Sequence, residues 1–194
     1  MMSIFESVND EKSIIYYGGS FNPPHIAHIM MVSVLRAYFP KAHIWIAPTY
    51  QHAFQKSLMS FDLRVEMLQK AVGDLPNVTI STIERDLHDS TSYTIDVVRS
   101  IHAKNPEAKI WIVVGSDIVP TLPQWRAYDE ILNLAQFLIF PRAGYDNAMA
   151  LKIPMLPEVS SSEIREKIKS GESVRGLVPA VVYDMLEFEL ELEV

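Results

Sequence analysis

Short apolar runs alternate with longer amphipathic segments along this chain. The runs at 13–17 (SIIYY), 42–47 (AHIWIA), 77–81 (NVTIS), 109–114 (KIWIVV) and 136–140 (QFLIF) read as strands. The fourth has almost no polar alternation, which suits a strand buried on both faces of a sheet. Between the strands, residues 25–39 read as a helix stopped by Pro40. Ser60 is placed to cap a helix over 61–72, where Leu63, Met67, Leu68 and Val72 recur at helical spacing. Ser92 is placed to cap another over 93–104, and 129–134 forms a short one. After the last strand come a helix over 162–170, ended by Gly171, and one over 179–187 with Pro179 in its first turn. The acidic tail EFELELEV reads as a solvated helix extension or a frayed end.

Strand and helix in regular alternation predict an α/β fold: a doubly wound, Rossmann-like parallel sheet of about five to six strands, with helices on both faces. No repeat or linker interrupts the pattern. The chain is therefore expected to be one domain, 1–194, with 158–194 as a C-terminal helical subregion. The longest weakly patterned stretches, 48–59 and 141–157, are candidates for functional loops.

Composition narrows the function classes. The chain has no cysteine, so disulfides, thiolate metal sites and cysteine nucleophiles are excluded. Its formal net charge of -7 disfavours a nucleic-acid or anionic-membrane surface, but not a small phosphorylated ligand held inside one cleft. No apolar run approaches the roughly 20 residues that span a bilayer, and the N-terminus lacks a signal-peptide core. A cytoplasmic protein is expected. The sequence is silent on oligomeric state and leaves room for a homo-oligomer.

The stretch GGSFNPPHIAH, from Gly18 to His28, sits where the first strand hands over to the first long helix. Glycines at a strand end let the backbone turn and approach a ligand closely. Pro23 and Pro24 stiffen the link. His25 and His28 then fall one turn apart at a helix N-terminus, where unpaired amides and a partial positive charge favour anions. The stretch is not GxGxxG and lacks a Walker lysine, so neither a dinucleotide dehydrogenase nor a P-loop ATPase is supported.

This signature resembles that of the nucleotidyltransferase branch of the adenylyl-transferring α/β phosphodiesterase superfamily. Four further blocks resemble bacterial nicotinate mononucleotide adenylyltransferases: ERDLHDSTSYTIDVV, WIVVGSDIVPTLPQWRAYDEIL, FLIFPRAGY and SSSEIREKIKSGESVRGLVPAVVYDML. The resemblance implies transfer of AMP from ATP to nicotinate mononucleotide, with pyrophosphate released and magnesium carried by ATP. It implies His25, His28 and Arg165 as catalytic residues. Gly18, Gly19, Ser20, Phe21, Ser161, Ser162 and Arg165 would bind ATP, with 158–194 completing that site. Tyr93, Thr94, Asp117 and Trp125 would bind the pyridine nucleotide, Asp117 through a ribose hydroxyl. Lys56 and Arg64 would reach phosphates from a lid, and the chain itself would supply no metal cluster. Nicotinamide mononucleotide, the acceptor of another small nucleotidyltransferase, or non-catalytic nucleotide binding are the alternatives. The chain departs from the family pattern at Ala27, where glycine is usual, at Arg126, where an aromatic is common, and at TYQHAFQK, where a proline–proline–histidine–basic run usually stands. Arg126 is placed either to attract a nicotinate carboxylate or to face solvent.

Overall fold

A computed structural model of the chain describes residues 3–50, 58–87 and 93–192. Its centre is a five-stranded, all-parallel sheet of order β3-β2-β1-β4-β5. The strands are β1 (Ser13–Gly19), β2 (His43–Pro48), β3 (Val78–Ile80), β4 (Lys109–Gly115) and β5 (Ala135–Phe140). The helices are α1 (Ile4–Val8), α2 (Ile26–Tyr38), α3 (Phe61–Val72), α4 (Ile83–Asp86), α5 (Thr94–Lys104), α6 (Tyr128–Leu134), α7 (Ser161–Lys169) and α8 (Ala180–Leu192), with a 3-10 turn at Val119–Gln124. The α/β, Rossmann-like arrangement expected from the alternating pattern is therefore present.

Alternate residues of each central strand serve opposite faces, as the two-residue period of a strand requires. Ile15, Trp111 and Val113 join Met31, Leu35, Ile44 and Leu68 in one core, under α2 and α3. Ile14, Tyr16, Ile110, Ile112 and Val114 join Ile95, Val98, Ile101 and Ile131 in the other, under α5 and α6. Met67 of α3 faces away from the sheet into a third cluster with Ile164, Val182 and Leu186, which seats α7 and α8. Of two adjacent methionines on α2, Met31 is buried but Met30 lies on the outer face at 42% exposure.

Strand order reverses between β1 and β4, the switch point where ligands of such sheets sit. The two strands pair only as far as Tyr16 opposite Ile112, although they run on to Gly19 and Gly115. Beyond that point β1 continues beside β2 and β4 beside β5. The sheet thus opens at its carboxyl edge between its two central strands. No described helix is long and apolar enough to cross a membrane.

Several boundaries differ from the sequence pattern for local reasons. His25 is the N-cap of α2 rather than its first residue. Ser160, not Ser161, caps α7, accepting the Glu163 N–H at 3.1 Å. α1 was not expected, yet Ser3 and Glu6 close a capping box around it. α8 runs into the acidic tail as far as Leu192. Helix α5 begins at Thr94; the expected cap at Ser92 and the lid lysine Lys56 lie outside the described residues.

Candidate active site

The segment from Gly18 to His25 lies at the open edge. Phe21 takes a left-handed conformation, φ 46°, that a side chain rarely adopts. Its ring is buried and held edge-on by Tyr17 at 5.4 Å and by His28 at 4.8 Å between centroids. The packing offsets the backbone cost and turns the chain back over the strand ends. Arg64 of α3 reinforces the turn. Its guanidinium, almost wholly buried, donates to the Ser20 carbonyl at 2.8 Å and to the Met59 carbonyl at 3.1 Å. Arg64 is thus committed to the loop backbone rather than free for a phosphate.

The two histidines stack at 3.5 Å between ring centroids. The His25 backbone N–H donates to Nδ1 of His28 at 3.2 Å, so the proton of the neutral His28 ring sits on Nε2. Nδ1 of His25 is buried with no partner among the described residues. Burial, and then the positive charge of Arg142, lowers the His25 pKa to about 4. Burial, with lesser contributions from His25 and Arg142, puts His28 well below the ordinary range. Both rings are therefore neutral hydrogen-bonding groups near pH 7.

Helix α7 reaches this loop from the far end of the chain. Arg165 Nη1 donates to the Asn22 carbonyl at 2.7 Å and Nη2 to Ser162 Oγ at 3.2 Å. Ser161 Oγ donates to the Pro23 carbonyl at 2.9 Å. The Ile26 N–H, first of α2, donates to the Leu177 carbonyl at 3.0 Å. That amide was expected among the anion-facing donors, but the C-terminal segment docks on the helix start and uses it. The glycine-rich loop, the histidines, Ser161, Ser162 and Arg165 are nevertheless brought together.

Two hollows lie at the carboxyl edge of the sheet. One, of about 210 Å³, is lined by Gly18, Gly19, Glu84, Thr94 and Trp125, among others. Glu84, buried at its floor, accepts from the Tyr16 hydroxyl at 3.0 Å and from the Tyr50 N–H at 3.2 Å. Tyr93, the N-cap of α5, immediately precedes Thr94. The other hollow, of about 350 Å³, is lined by Asp117, Arg142, Tyr145, Ser160 and Glu163, among others. Asp117, grouped in the sequence with Tyr93, Thr94 and Trp125, lies in this second hollow instead. Its Oδ1 is buried with no hydrogen-bond partner among the described residues and stands 3.9 Å from Arg142 Nε. A Cβ on Gly115 would collide with that Asp117 oxygen and press on Arg142 at 3.2 Å. Arg142 was not singled out from sequence. The signal available was a cation immediately after the fifth strand and Pro141, in a parallel sheet that binds ligands at strand ends.

The carboxyl edge thus carries neutral imidazoles, guanidinium groups and glycine backbone, together with these two hollows. That suits a phosphorylated ligand. Among the described residues no three His, Asp or Glu side chains cluster as a metal site.

Comparison with known proteins agrees with this geometry. The Cytidylyltransferase-like family model matches residues 16–167. A protein of Anaeromyxobacter dehalogenans named "Probable nicotinate-nucleotide adenylyltransferase" is 34% identical over 178 residues, covering 91% of this chain and 94% of that one. One of the same name from Enterococcus faecalis is 32% identical over 183 residues, covering 91% and 83%. Among solved structures, the Plasmodium falciparum nicotinic acid mononucleotide adenylyltransferase complexed with NaAD superposes with a TM-score of 0.80. The identity is 20%, over 92% of this chain and 96% of that one, so this likeness speaks to fold alone.

Proposed function

Because the chain belongs to the cytidylyltransferase-like family, among relatives named as nicotinate-nucleotide adenylyltransferases, we propose that it transfers AMP from ATP to nicotinate mononucleotide. A phosphate oxygen of the mononucleotide attacks the α-phosphorus of ATP. The bond from that phosphorus to the bridging oxygen of the β-phosphate breaks, and pyrophosphate leaves with the electron pair. Nicotinate adenine dinucleotide is the product. No side chain need become covalently attached, so the protein acts by positioning and by stabilising charge.

In this reading Gly18, Gly19, Ser20 and Phe21 shape the path of the phosphates. His28 donates Nε2–H to an oxygen of the reacting phosphate, and His25 lies stacked beside it. Arg165, with Ser161 and Ser162, meets the leaving pyrophosphate. The hollow of Thr94 and Trp125 takes the pyridine ring, with Tyr93 next to Thr94. The second hollow takes the adenosine end, where the unpartnered Oδ1 of Asp117 suits a ribose hydroxyl. Arg142 sits nearby to balance phosphate charge. Magnesium enters as part of the ATP substrate, held mainly by its phosphates.

The observation that carries the reading is the 2.7 Å bond from Arg165 to the carbonyl of Asn22. It puts the guanidinium of α7 and the imidazoles of α2 on one loop, where a single triphosphate can meet both. The test is to supply the protein with Mg-ATP and either nicotinate mononucleotide, nicotinamide mononucleotide or phosphopantetheine, and to identify products by mass. The expected outcome is nicotinate adenine dinucleotide with stoichiometric pyrophosphate, lost when magnesium is chelated. Absence of a dinucleotide from nicotinate mononucleotide overturns the reading.

A further inference from the structure

Beside the pyridine hollow one cation has no use in the roles just described. Arg126 follows Trp125, whose side chain lines that hollow and meets Phe137 edge-on at 6.0 Å. The next residue, Ala127, is left-handed at φ 53°, ψ 43°, and caps α6. Between a packed tryptophan and so sharp a turn, the Arg126 backbone has little freedom. Its guanidinium lies 4.7 Å from the centroid of Tyr93, over the ring face. Tyr93 immediately precedes Thr94, which also lines that hollow. The stack therefore ties the turn before α6 to the start of α5, next to two residues that line the hollow.

Arg126 has no described carboxylate within ion-pair distance. Glu130, in the first turn of the following helix, is already held by Arg99 at 2.6 Å. Arg126 is thus a planar cation with five donors, stacked in place and not paired with any described acid. A neutral carboxamide gains little from such a group, whereas a carboxylate gains a charge-assisted hydrogen bond.

We propose that Arg126, held by its stack on Tyr93, reads the carboxylate of the pyridine ring and sets the preference for nicotinate over nicotinamide mononucleotide. This rests on the reaction proposed above and names the residue that selects its acceptor. In the absence of substrate the guanidinium is parked on the aromatic face. With the acceptor bound it keeps that face and turns its free edge to the carboxylate.

The test is to measure kcat/KM for both mononucleotides in the parent protein, in Arg126→Gln and in Arg126→Lys. In Arg126→Gln the value for nicotinate mononucleotide should fall about 10- to 100-fold, the range for a lost charge-assisted hydrogen bond. That for nicotinamide mononucleotide should stay within about twofold, which also shows that the variant is folded. Arg126→Lys should recover only part of the ratio, because an ammonium keeps the charge but not the fork. Equal loss on both acceptors, or an unchanged ratio, overturns the assignment of Arg126 while leaving the reaction standing. A parent protein that adenylylates neither acceptor overturns the reaction itself, and this proposal with it.

Discussion

The bond from the His25 backbone to His28 Nδ1 decides what His28 can offer: one N–H, at Nε2, and no second acceptor. Burial keeps the ring neutral, so its contribution is a directed dipole rather than a resident charge. Such a donor matters most where negative charge develops, at the oxygens of the reacting phosphorus. His28→Ala is accordingly expected to lower kcat by about 100- to 1000-fold, with KM for ATP changed by less than about fivefold. Steady-state kinetics at saturating acceptor will show whether the loss falls on turnover. Equal loss in both parameters would make His28 a ground-state binder. The histidine pair was legible in the sequence because a spacing of three residues at a helix start has one geometric meaning. The direction of their hydrogen bonds was not, since it depends on how Phe21 and Arg165 hold the loop. Arg142 was also hidden, because an arginine in a loop gains meaning only from what faces it.

Among the elements, α3 contributes to the site without lining either hollow prominently. It spends Arg64 on two loop carbonyls, turns Leu68 and Val72 to the sheet, and turns Met67 to α7 and α8. Arg64→Met keeps the apolar stem and removes both bonds, leaving the Ser20 and Met59 carbonyls short of their partner. A loss of about 3 kcal/mol in unfolding free energy is expected, to be read from urea titrations. An unchanged midpoint would mean that water or another donor replaces the guanidinium. The helix itself was evident from apolar spacing and from Ser60. The buried arginine was not, because periodicity sorts residues by face and gave Arg64 no reason to point inward. Short elements escaped for a related reason. Four residues at Ile83–Asp86 and the proline-bearing turn at Val119–Gln124 are too brief to establish a period.

At the scale of the whole molecule, alternating strands and helices were enough to anticipate the parallel sheet, and the order β3-β2-β1-β4-β5 supplies the switch point that gathers the site. What the linear pattern could not supply was the division of Asp117 and Trp125 between two hollows, which follows from how β4 parts from β1. The buried histidines also link the site to global stability. His25 titrates near its ordinary 6.5 when unfolded and at about 4 when folded. Between those values the unfolded chain binds a proton that the native state rejects, so stability is complete above about pH 6.5 and declines as pH falls. The deficit from His25 alone should reach about 3 kcal/mol by pH 4, with His28 acting in the same direction. Urea midpoints across that window should be less steeply pH-dependent in His25→Gln than in the parent. Parallel slopes would assign the acid sensitivity to other groups.

The contact between Ile26 and Leu177 has a bearing on how the protein comes into being. During synthesis the amino-terminal portion leaves the ribosome with its imidazoles already in hand, but the segment that clasps them is still being assembled. A nascent polypeptide is therefore expected to be inert toward nucleotides until the segment through Leu177 has emerged.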